Sequence, residues 1–539
     1  MKKVCSIFMA VAMSLTTAIA PTFNVSAASI SSSSYPEALK DAIWFYDANK
    51  CGKDVANDNV FSWRGACHTT DGENGVDLTG GFHDCGDHIK FGITNGYSAS
   101  ILGWSLYEFK GAFDASGNTR KMLSTLKYFT DYIMNSRVSA TKYCYHVGDP
   151  SDHDYWGPPE QQTGSRTVKR YMGSGQGAAD VCGLYSGALS LMYLNYKSID
   201  STYANKCLEY AKELYALGKN NPGVGNADGF YTSTDWKDDM GWAAMWLYVI
   251  EKNNSYLNDV NTWVPSPATN WTICWNDMKL AVAAVGAEAT GDSKYKDALS
   301  SSLSYWKNSI SKSNGGLRIL DSWGTLRYTS AECLLALVYH KLYNDESAKS
   351  FAKSQMDYIL GDNPANMSYI IGFGSNYPKH PHHRAASGYV GWNDWKNPAK
   401  NVLTGALVGG PDKSDIYNDQ TDAYTCTEVG IDYNAGLVGA MAGMVQFYGN
   451  LPQTTETPVT PTPTSTPSNP SIIYGDINND GSVNALDFAT FRKVLLGIPT
   501  SGANMSAADL NVDGSANAID FAILRKLLLG IINSLPYKN

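Results

Sequence analysis

Between Asp77 and His88 the chain reads Asp-Leu-Thr-Gly-Gly-Phe-His-Asp-Cys-Gly-Asp-His. The glycines free the backbone, and Asp84 and Asp87 bracket Cys85-Gly86 on a loop. Two close carboxylates can share one water, one abstracting its proton while the other orients it. Taken alone, an Asp-x-x-Asp pair reads equally as a loop cap or a metal ligand. A third carboxylate, Glu428, sits between Tyr424 and Tyr433. Aromatic neighbours desolvate a carboxyl group and raise its pKa toward that of a general acid, whereas a surface Glu near a helix start is the plainer reading. One carboxyl that protonates a leaving oxygen and another that activates water are what cleavage of a glycosidic bond requires. Upstream, Cys51, Cys67, His68 and His83 offer two thiolates and two imidazoles, the donor set of a closed tetrahedral zinc site; reduced core cysteines and unrelated histidines are the alternative.

A second kind of chemistry is written near the C-terminus. Asp476, Asn478, Asp480, Asn484 and Asp487 fall at positions 1, 3, 5, 9 and 12 of an EF-hand-like calcium loop, with Gly481 at the sharp turn and the Ser482 carbonyl at position 7. Asp509, Asn511, Asp513, Asn517 and Asp520 repeat the pattern, with Gly514 and Ser515. Asp stands at position 12 where an EF-hand has Glu. A helix follows each loop, and no helix precedes the first. The duplicated loop resembles a type I dockerin, the module by which cellulosomal enzymes bind cohesins on a scaffold. That resemblance implies calcium in both loops and a cohesin partner. The residues at loop positions 10 and 11, Ala485-Leu486 and Ala518-Ile519, imply a cohesin with an apolar recognition surface.

The large N-terminal region resembles glycoside hydrolase family 9, the family of many endoglucanases. The resemblance runs from about Asp41 to Tyr448. Gly80-Gly81 through Asp87-His88 matches the catalytic loop. Gly361-Asp362-Asn363-Pro364 and Ser368 through Arg384 match one C-terminal motif, and Gly409-Gly410-Pro411-Asp412 with the Glu428 segment matches another. Gly430 stands where that motif usually has Ser, Thr or Ala. By resemblance, Asp87 is the catalytic base, Asp84 helps hold the nucleophilic water and Glu428 is the acid. His153, Trp156, Trp271, Trp323, Arg327, His382, Arg384 and Tyr433 would line the glucan cleft. Family members with a structural zinc carry His where His83 stands. A calcium site found in many relatives maps to Thr234, Asp235, Asp238, Asp239 and Asn276, with Asp239 in place of Glu and Asn276 in place of Asp. The family folds as an (α/α)6 barrel and inverts the anomeric carbon.

The elements that must position these residues can be read more coarsely. The chain has 539 residues, 43% hydrophobic and 12% aromatic, enough for one large core and an appendage. Net charge is −9 with no basic stripe, which excludes a nucleic-acid partner. Lys2-Lys3, an apolar run and Val25-Ser26-Ala27 read as a signal peptide over residues 1–27, so the protein is expected to be secreted and extracellular rather than membrane-bound. The catalytic region is expected over 35–450, a Pro/Thr linker over 451–472 and the dockerin over 473–535. Helical stretches such as Ala38–Tyr46, Ser98–Phe109, Lys121–Asn135, Asp180–Tyr196, Asp238–Val249 and Ala331–Leu342 predict an all-α class; a toroid of paired helices with function on the loops at one end fits them, and periodicity alone leaves another large helical fold open. Together these readings indicate a cellulosome-associated endo-β-1,4-glucanase acting on cellulose. Action on another β-glucan such as xyloglucan or lichenan, or a non-catalytic carbohydrate-binding scaffold component, are the alternatives.

Overall fold

The computed structural model describes residues 30–449 other than 74, 165, 392, 393 and 395, and residues 473–478, 482–495, 503–511, 516–528, 532 and 535. The expected signal peptide and linker, and the loop residues Asp480 and Asp513, lie outside the described residues. The chain separates into two compact units, Met1–Pro452 and Gln453–Asn539.

Long helices build the large unit: α1 (Ser34–Asn49), α2 (Gly92–Glu108), α3 (Thr119–Asn135), α4 (Ala179–Tyr196), α5 (Ser201–Asn220), α6 (Lys237–Glu251), α7 (Asn254–Trp263), α8 (Lys279–Thr290), α9 (Ser293–Asn308), α10 (Thr325–Tyr343), α11 (Glu346–Leu360) and α12 (Ile431–Tyr448). The even-numbered helices touch in cyclic order and α12 returns to α2, closing an inner ring. Each odd-numbered helix packs against an inner one, α1 on α12, α3 on α2, and so on to α11 on α10. This is the expected (α/α)6 barrel. The two rings differ in sequence for a physical reason. An inner helix is enclosed on every side, so α12 is buried without interruption from Ile431 to Val445. An outer helix buries one stripe; in α3 that stripe is Met122, Leu126, Phe129 and Ile133.

The turns decide where the site lies. Three inner-to-outer turns are tight: Lys252-Asn253, Gly291-Asp292 and Asn344-Asp345. In each, the first residue takes the left-handed conformation that closes one helix, and the second accepts backbone N–H bonds that open the next. The outer-to-inner connections are long, spanning 50–91, 136–178, 221–236, 264–278, 309–324 and 361–430. Most of the extra chain therefore collects at the end where the inner helices begin. A small antiparallel sheet stitches two of these connections together. Its strand Lys142–Val147 pairs with Lys90–Phe91, Arg137–Ser139 and Lys169–Gly173.

One buried acid in the barrel wall sets a measurable property. Glu332 of α10 has no exposed surface and accepts hydrogen bonds from Thr272 Oγ1 (2.8 Å) and Ser302 Oγ (3.2 Å). Burial pushes its carboxyl up to about 8, against the weaker opposing effect of those two bonds. The folded state therefore holds a proton that the unfolded chain releases. The resulting stability is full below the unfolded pKa, roughly 4, and is lost as pH rises toward about 8, at up to about 1.4 kcal/mol per pH unit. Glu332→Gln keeps an acceptor and removes the charge. Its thermal midpoint should rise relative to the parent as pH goes from about 5 to 8; a gap that stays constant with pH would contradict this.

Candidate active site

The loop carrying Asp84 and Asp87 is held from three sides. Asn49, the buried last residue of α1, donates through one amide nitrogen to the carbonyls of His83 (3.2 Å), Asp84 (3.1 Å) and Cys85 (2.9 Å). Ile431 N–H, at the start of α12, donates to the Asp84 carbonyl (3.1 Å), and Arg384 N–H to the Gly86 carbonyl (3.0 Å). Position 86 must be glycine for lack of space: a Cβ there would lie 2.0 Å from the His382 carbonyl oxygen. The two carboxylates then receive different partners. Tyr231 OH donates to Asp84 Oδ2, and His153 Nδ1 bonds Asp87 Oδ2 at 2.9 Å. The other oxygen of each, Oδ1, is buried without a hydrogen-bond partner among the described residues.

Those environments separate the pair. Burial, then the charges of Asp87 and Asp432, push Asp84 well above the usual carboxylate range. Burial pushes Asp87 up as well, but the hydrogen bond from His153 and the positive charge of Arg384 outweigh it and hold Asp87 below its ordinary value. The surroundings thus favour negative charge on Asp87 and a proton on Asp84.

Glu428 follows a short helix, Tyr424–Thr427, and its backbone is pinned by Gly409 N–H donating to its carbonyl (2.9 Å). Its Oε2 accepts from Trp323 Nε1 (2.8 Å) and Tyr433 OH (3.1 Å). Burial raises its pKa; both hydrogen bonds and Arg327 oppose that shift, while the charge of Asp432 adds to it. Asp432 is itself paired with Arg327 Nη1 at 3.2 Å, and the Arg327 guanidinium lies 4.8 Å over the Tyr433 ring. His382 gives its Nδ1–H to the Thr421 carbonyl (2.7 Å), and burial lowers it to about 4, so its ring is neutral.

The residues expected in the cleft assemble around these acids, with different exposures. Trp323 is 46% exposed and forms a tilted pair with Tyr424, itself 47% exposed. His153 packs on the exposed Phe230. Trp271 is half-buried and edge-on to Tyr328. Trp156 is buried, with the Arg384 guanidinium 5.0 Å over its ring and His382 edge-on, so it supports those two groups and offers no open face. Sequence reasoning passed over Tyr231, Phe230, Asp432 and Asn49, and named Tyr424 only as an aromatic neighbour of Glu428. Tyr424 and Asp432 flank Glu428 in the motif, which was a usable signal; the others reach the site only through the fold. At Gly430, where a larger residue was expected, a Cβ would come within 2.5 Å of Asp432 Oδ1 and 3.1 Å of Cys85 Sγ. The thiol of Cys85 fills part of the space beside this glycine.

The Cys51, Cys67, His68 and His83 donor atoms all lie within 4.8 Å of one another, among buried surroundings. The cysteines are free thiols. His68 Nδ1 is 3.0 Å from His83 Nε2 and 3.7 Å from Cys51 Sγ. Facing nitrogen and sulfur donors at this spacing fit a cation held at their centre. The expected calcium residues are less convergent. Thr234 and Asn276 bond each other, and Asp235 spends Oδ1 on the Trp236 and Lys237 N–H groups at the start of α6. Asp238 Oδ2 accepts from Met278 N–H, which leaves Asp238 Oδ1 and Asp239 Oδ1 as buried oxygens without partners among the described residues. Burial raises Asp238 to about 7, and burial with the charge of Asp238 pushes Asp239 well above the usual carboxylate range.

In the small unit, α13 (Ala485–Leu495) and α14 (Ala518–Leu528) pack together, with Phe488 stacked on Phe521 at 4.1 Å over a core of Ile477, Phe491, Leu510 and Leu524. The loops close identically. Asp487 accepts from the N–H groups of Ile477, Asn478 and Asn484, and Asp520 from those of Leu510, Asn511 and Asn517. Both carboxylates are fully buried, and Asp476 nearly so. Leu486 and Ile519 project outward, 54% and 60% exposed.

Residues 35–441 match the model of glycosyl hydrolase family 9, and residues 474–529 that of the type I dockerin domain. The cellulase Cel9M of C. cellulolyticum, solved in complex with cellobiose, is 54% identical with a TM-score of 0.76, over 77% of this chain and 99% of that one. An endoglucanase of the termite Nasutitermes takasagoensis is 34% identical with a TM-score of 0.73, over 76% of this chain and 98% of its own. Endoglucanase A of Bacillus pumilus is 36% identical over 454 residues, 79% of this chain and 68% of its own. The closed ring of paired helices agrees with these matches: the chain belongs to glycosyl hydrolase family 9 and carries a type I dockerin domain.

Proposed function

We propose that this protein is an inverting endo-1,4-β-glucanase that acts on cellulose, is secreted, and is held on an extracellular scaffold by its dockerin. The observation that carries the reading is the division of labour among three carboxyl groups at one end of the barrel: Asp87 ionised, Glu428 biased toward its acid form, Asp84 beside Asp87. A water held by Asp84 and Asp87 gives a proton to Asp87 as its oxygen attacks the anomeric carbon. Glu428 delivers its proton to the glycosidic oxygen as the carbon–oxygen bond breaks. Attack from the face opposite the leaving group inverts the centre. Trp323 and Tyr424 offer ring faces beside the acid on which sugar rings can stack. The comparisons support this substrate class through relatives named as endoglucanases and cellulases.

Glu428→Gln removes the proton donor at almost constant volume. Its turnover on amorphous cellulose should fall by at least ~10²–10⁴-fold while glucan binding persists. Near-parental reducing-sugar release would sink the assignment.

In the dockerin, calcium would be held by Asp476, Asn478, Asn484 and Asp487 and their counterparts, with Asp480 and Asp513 contributing from outside the described residues. Leu486 and Ile519 are the apolar groups offered to a cohesin. Excess chelator should unfold this module and abolish cohesin binding while glucanase activity survives, as read by calorimetry on a cohesin surface and by assay. Undiminished cohesin binding in chelator would overturn it.

The Cys51, Cys67, His68 and His83 cluster is read as a structural zinc centre. With four protein ligands the metal has no open position, so its contribution is to fix the chain around His83 next to Asp84. Metal analysis should find about one zinc per chain. Cys67→Ser should lose it and unfold at lower temperature, yet remain active when cool. A zinc-free parent, or a variant as stable as the parent, argues against the site.

A further inference from the structure

Gln162 stands at a junction that neither catalysis nor metal ligation uses. Its Oε1 lies 2.8 Å from His68 Nε2 and 2.9 Å from His88 Nδ1, and its Nε2 lies 3.0 Å from Asp152 Oδ1. The chemistry of the partners fixes the orientation. An ionised carboxylate only accepts, so the NH2 end must face Asp152 and the carbonyl must face the imidazoles. A carbonyl oxygen also only accepts, so both rings must donate to it. His68 is thereby held as its Nε2–H tautomer, with the Nδ1 lone pair turned toward Cys51 and His83. His88, the residue after Asp87, is held through Nδ1–H.

The other arm leads to the base. Asp152 Oδ2 accepts from Asp149 N–H, and Asp149 accepts from Ser151 N–H, a reciprocal cap on the helix Pro150–Asp154. The next residue on that helix is His153, whose Nδ1 bonds Asp87. The segment bearing Gln162 is itself anchored beside the metal cluster. Glu160 pairs with Arg64 Nε at 2.7 Å and accepts from Gly65 N–H at 2.9 Å, and Arg64 reaches Cys67 Sγ at 3.6 Å.

We propose that Gln162 is a positioning residue that joins the Cys/His centre to the catalytic base, one amide face presenting His68 to the metal and the other setting His153 against Asp87 through Asp152. The first arm rests on the zinc reading above; the second does not. Partners of this kind change metal affinity or activity by about 10–100-fold when removed.

Three variants separate the arms, each assayed for zinc release to a chelator, thermal midpoint, and kcat and KM on soluble carboxymethylcellulose. Gln162→Leu removes both arms; kcat should fall by about 10–100-fold with KM little changed, and zinc should leave about 10–100-fold faster. Gln162→Glu still accepts from both imidazoles but has no N–H for Asp152, so kcat should fall while zinc release stays near parental. In Asp152→Asn the side chain cannot accept from both Gln162 and Asp149, so kcat should again fall with zinc release unchanged. Gln162→Leu folded like the parent with parental kcat and zinc release would overturn the proposal. So would Gln162→Glu losing zinc at parental kcat, or Asp152→Asn with parental kcat, the measure that still applies if Gln162→Leu fails to fold. A parent that takes up no zinc ends the metal arm alone; the kcat of Asp152→Asn then decides the rest.

Discussion

Burying several carboxylates in one cleft is the constraint around which the catalytic end of this protein is organised. Asp84, Asp87, Glu428 and Asp432 all stand where burial penalises negative charge. Burial and mutual repulsion both oppose ionising all four, so the state of each acid is set by its neighbours. His153 and Arg384 are spent on Asp87, which keeps its charge. Arg327 is spent chiefly on Asp432, which leaves Glu428 with neutral donors, Trp323 and Tyr433, and a bias toward its protonated form. The acid and base roles are therefore a consequence of where two arginines and one histidine are placed, more than of the carboxylates themselves.

Such placement demands a rigid frame, because the loops that carry these groups are long. The frame comes from the asymmetry of the barrel. Tight turns at one end leave most of the spare chain at the other, and buried polar contacts then tie that chain down. Asn49 shows how little is needed: a single amide at the end of an outer helix bonds three successive carbonyls of the catalytic loop. Tyr46, one turn earlier on the same helix, donates to the Ile431 carbonyl at 2.7 Å, while Ile431 N–H holds Asp84. The first outer helix and the last inner helix, adjacent in the ring but distant in sequence, thus grip the same loop.

What could be read from sequence follows the same division. The all-α class was legible in helical stretches such as Ala331–Leu342, whereas the six-pair barrel came from the family resemblance, because the spacing of a buried helix face suits any large helical fold. Asp84, Asp87 and Glu428 were legible because their segments are locally peculiar, dense in glycine, histidine and aromatics. Tyr231, Asn49 and Gln162 were not, since each is an ordinary residue whose role arises from partners far away in the chain. The segment Thr234–Asp239 is legible only in part. Its residue types suit calcium, while the start of α6 also engages Asp235, and Asn276 and Thr234 bond each other. Local composition does not reveal those further contacts.

The two units solve a shared electrostatic problem by different means, and this explains why one is legible as a motif and the other only in part. In the barrel the positive partners of buried carboxylates are arginines, lysines and histidines brought in largely by tertiary folding, so their identity is spread over the whole chain. In the dockerin, Asp487 and Asp520 are fully buried and bonded to backbone N–H groups of their own loops. A domain this small cannot enclose an arginine for each loop and still keep a core of Ile477, Phe491, Leu510 and Leu524. A divalent cation is the compact alternative, and because it requires oxygen ligands at fixed positions, it forces the whole site into a continuous stretch of sequence. The regular spacing that makes the dockerin recognisable is therefore the mark of a charge supplied from outside, whereas the scattered residues around Glu428 mark charge supplied from within.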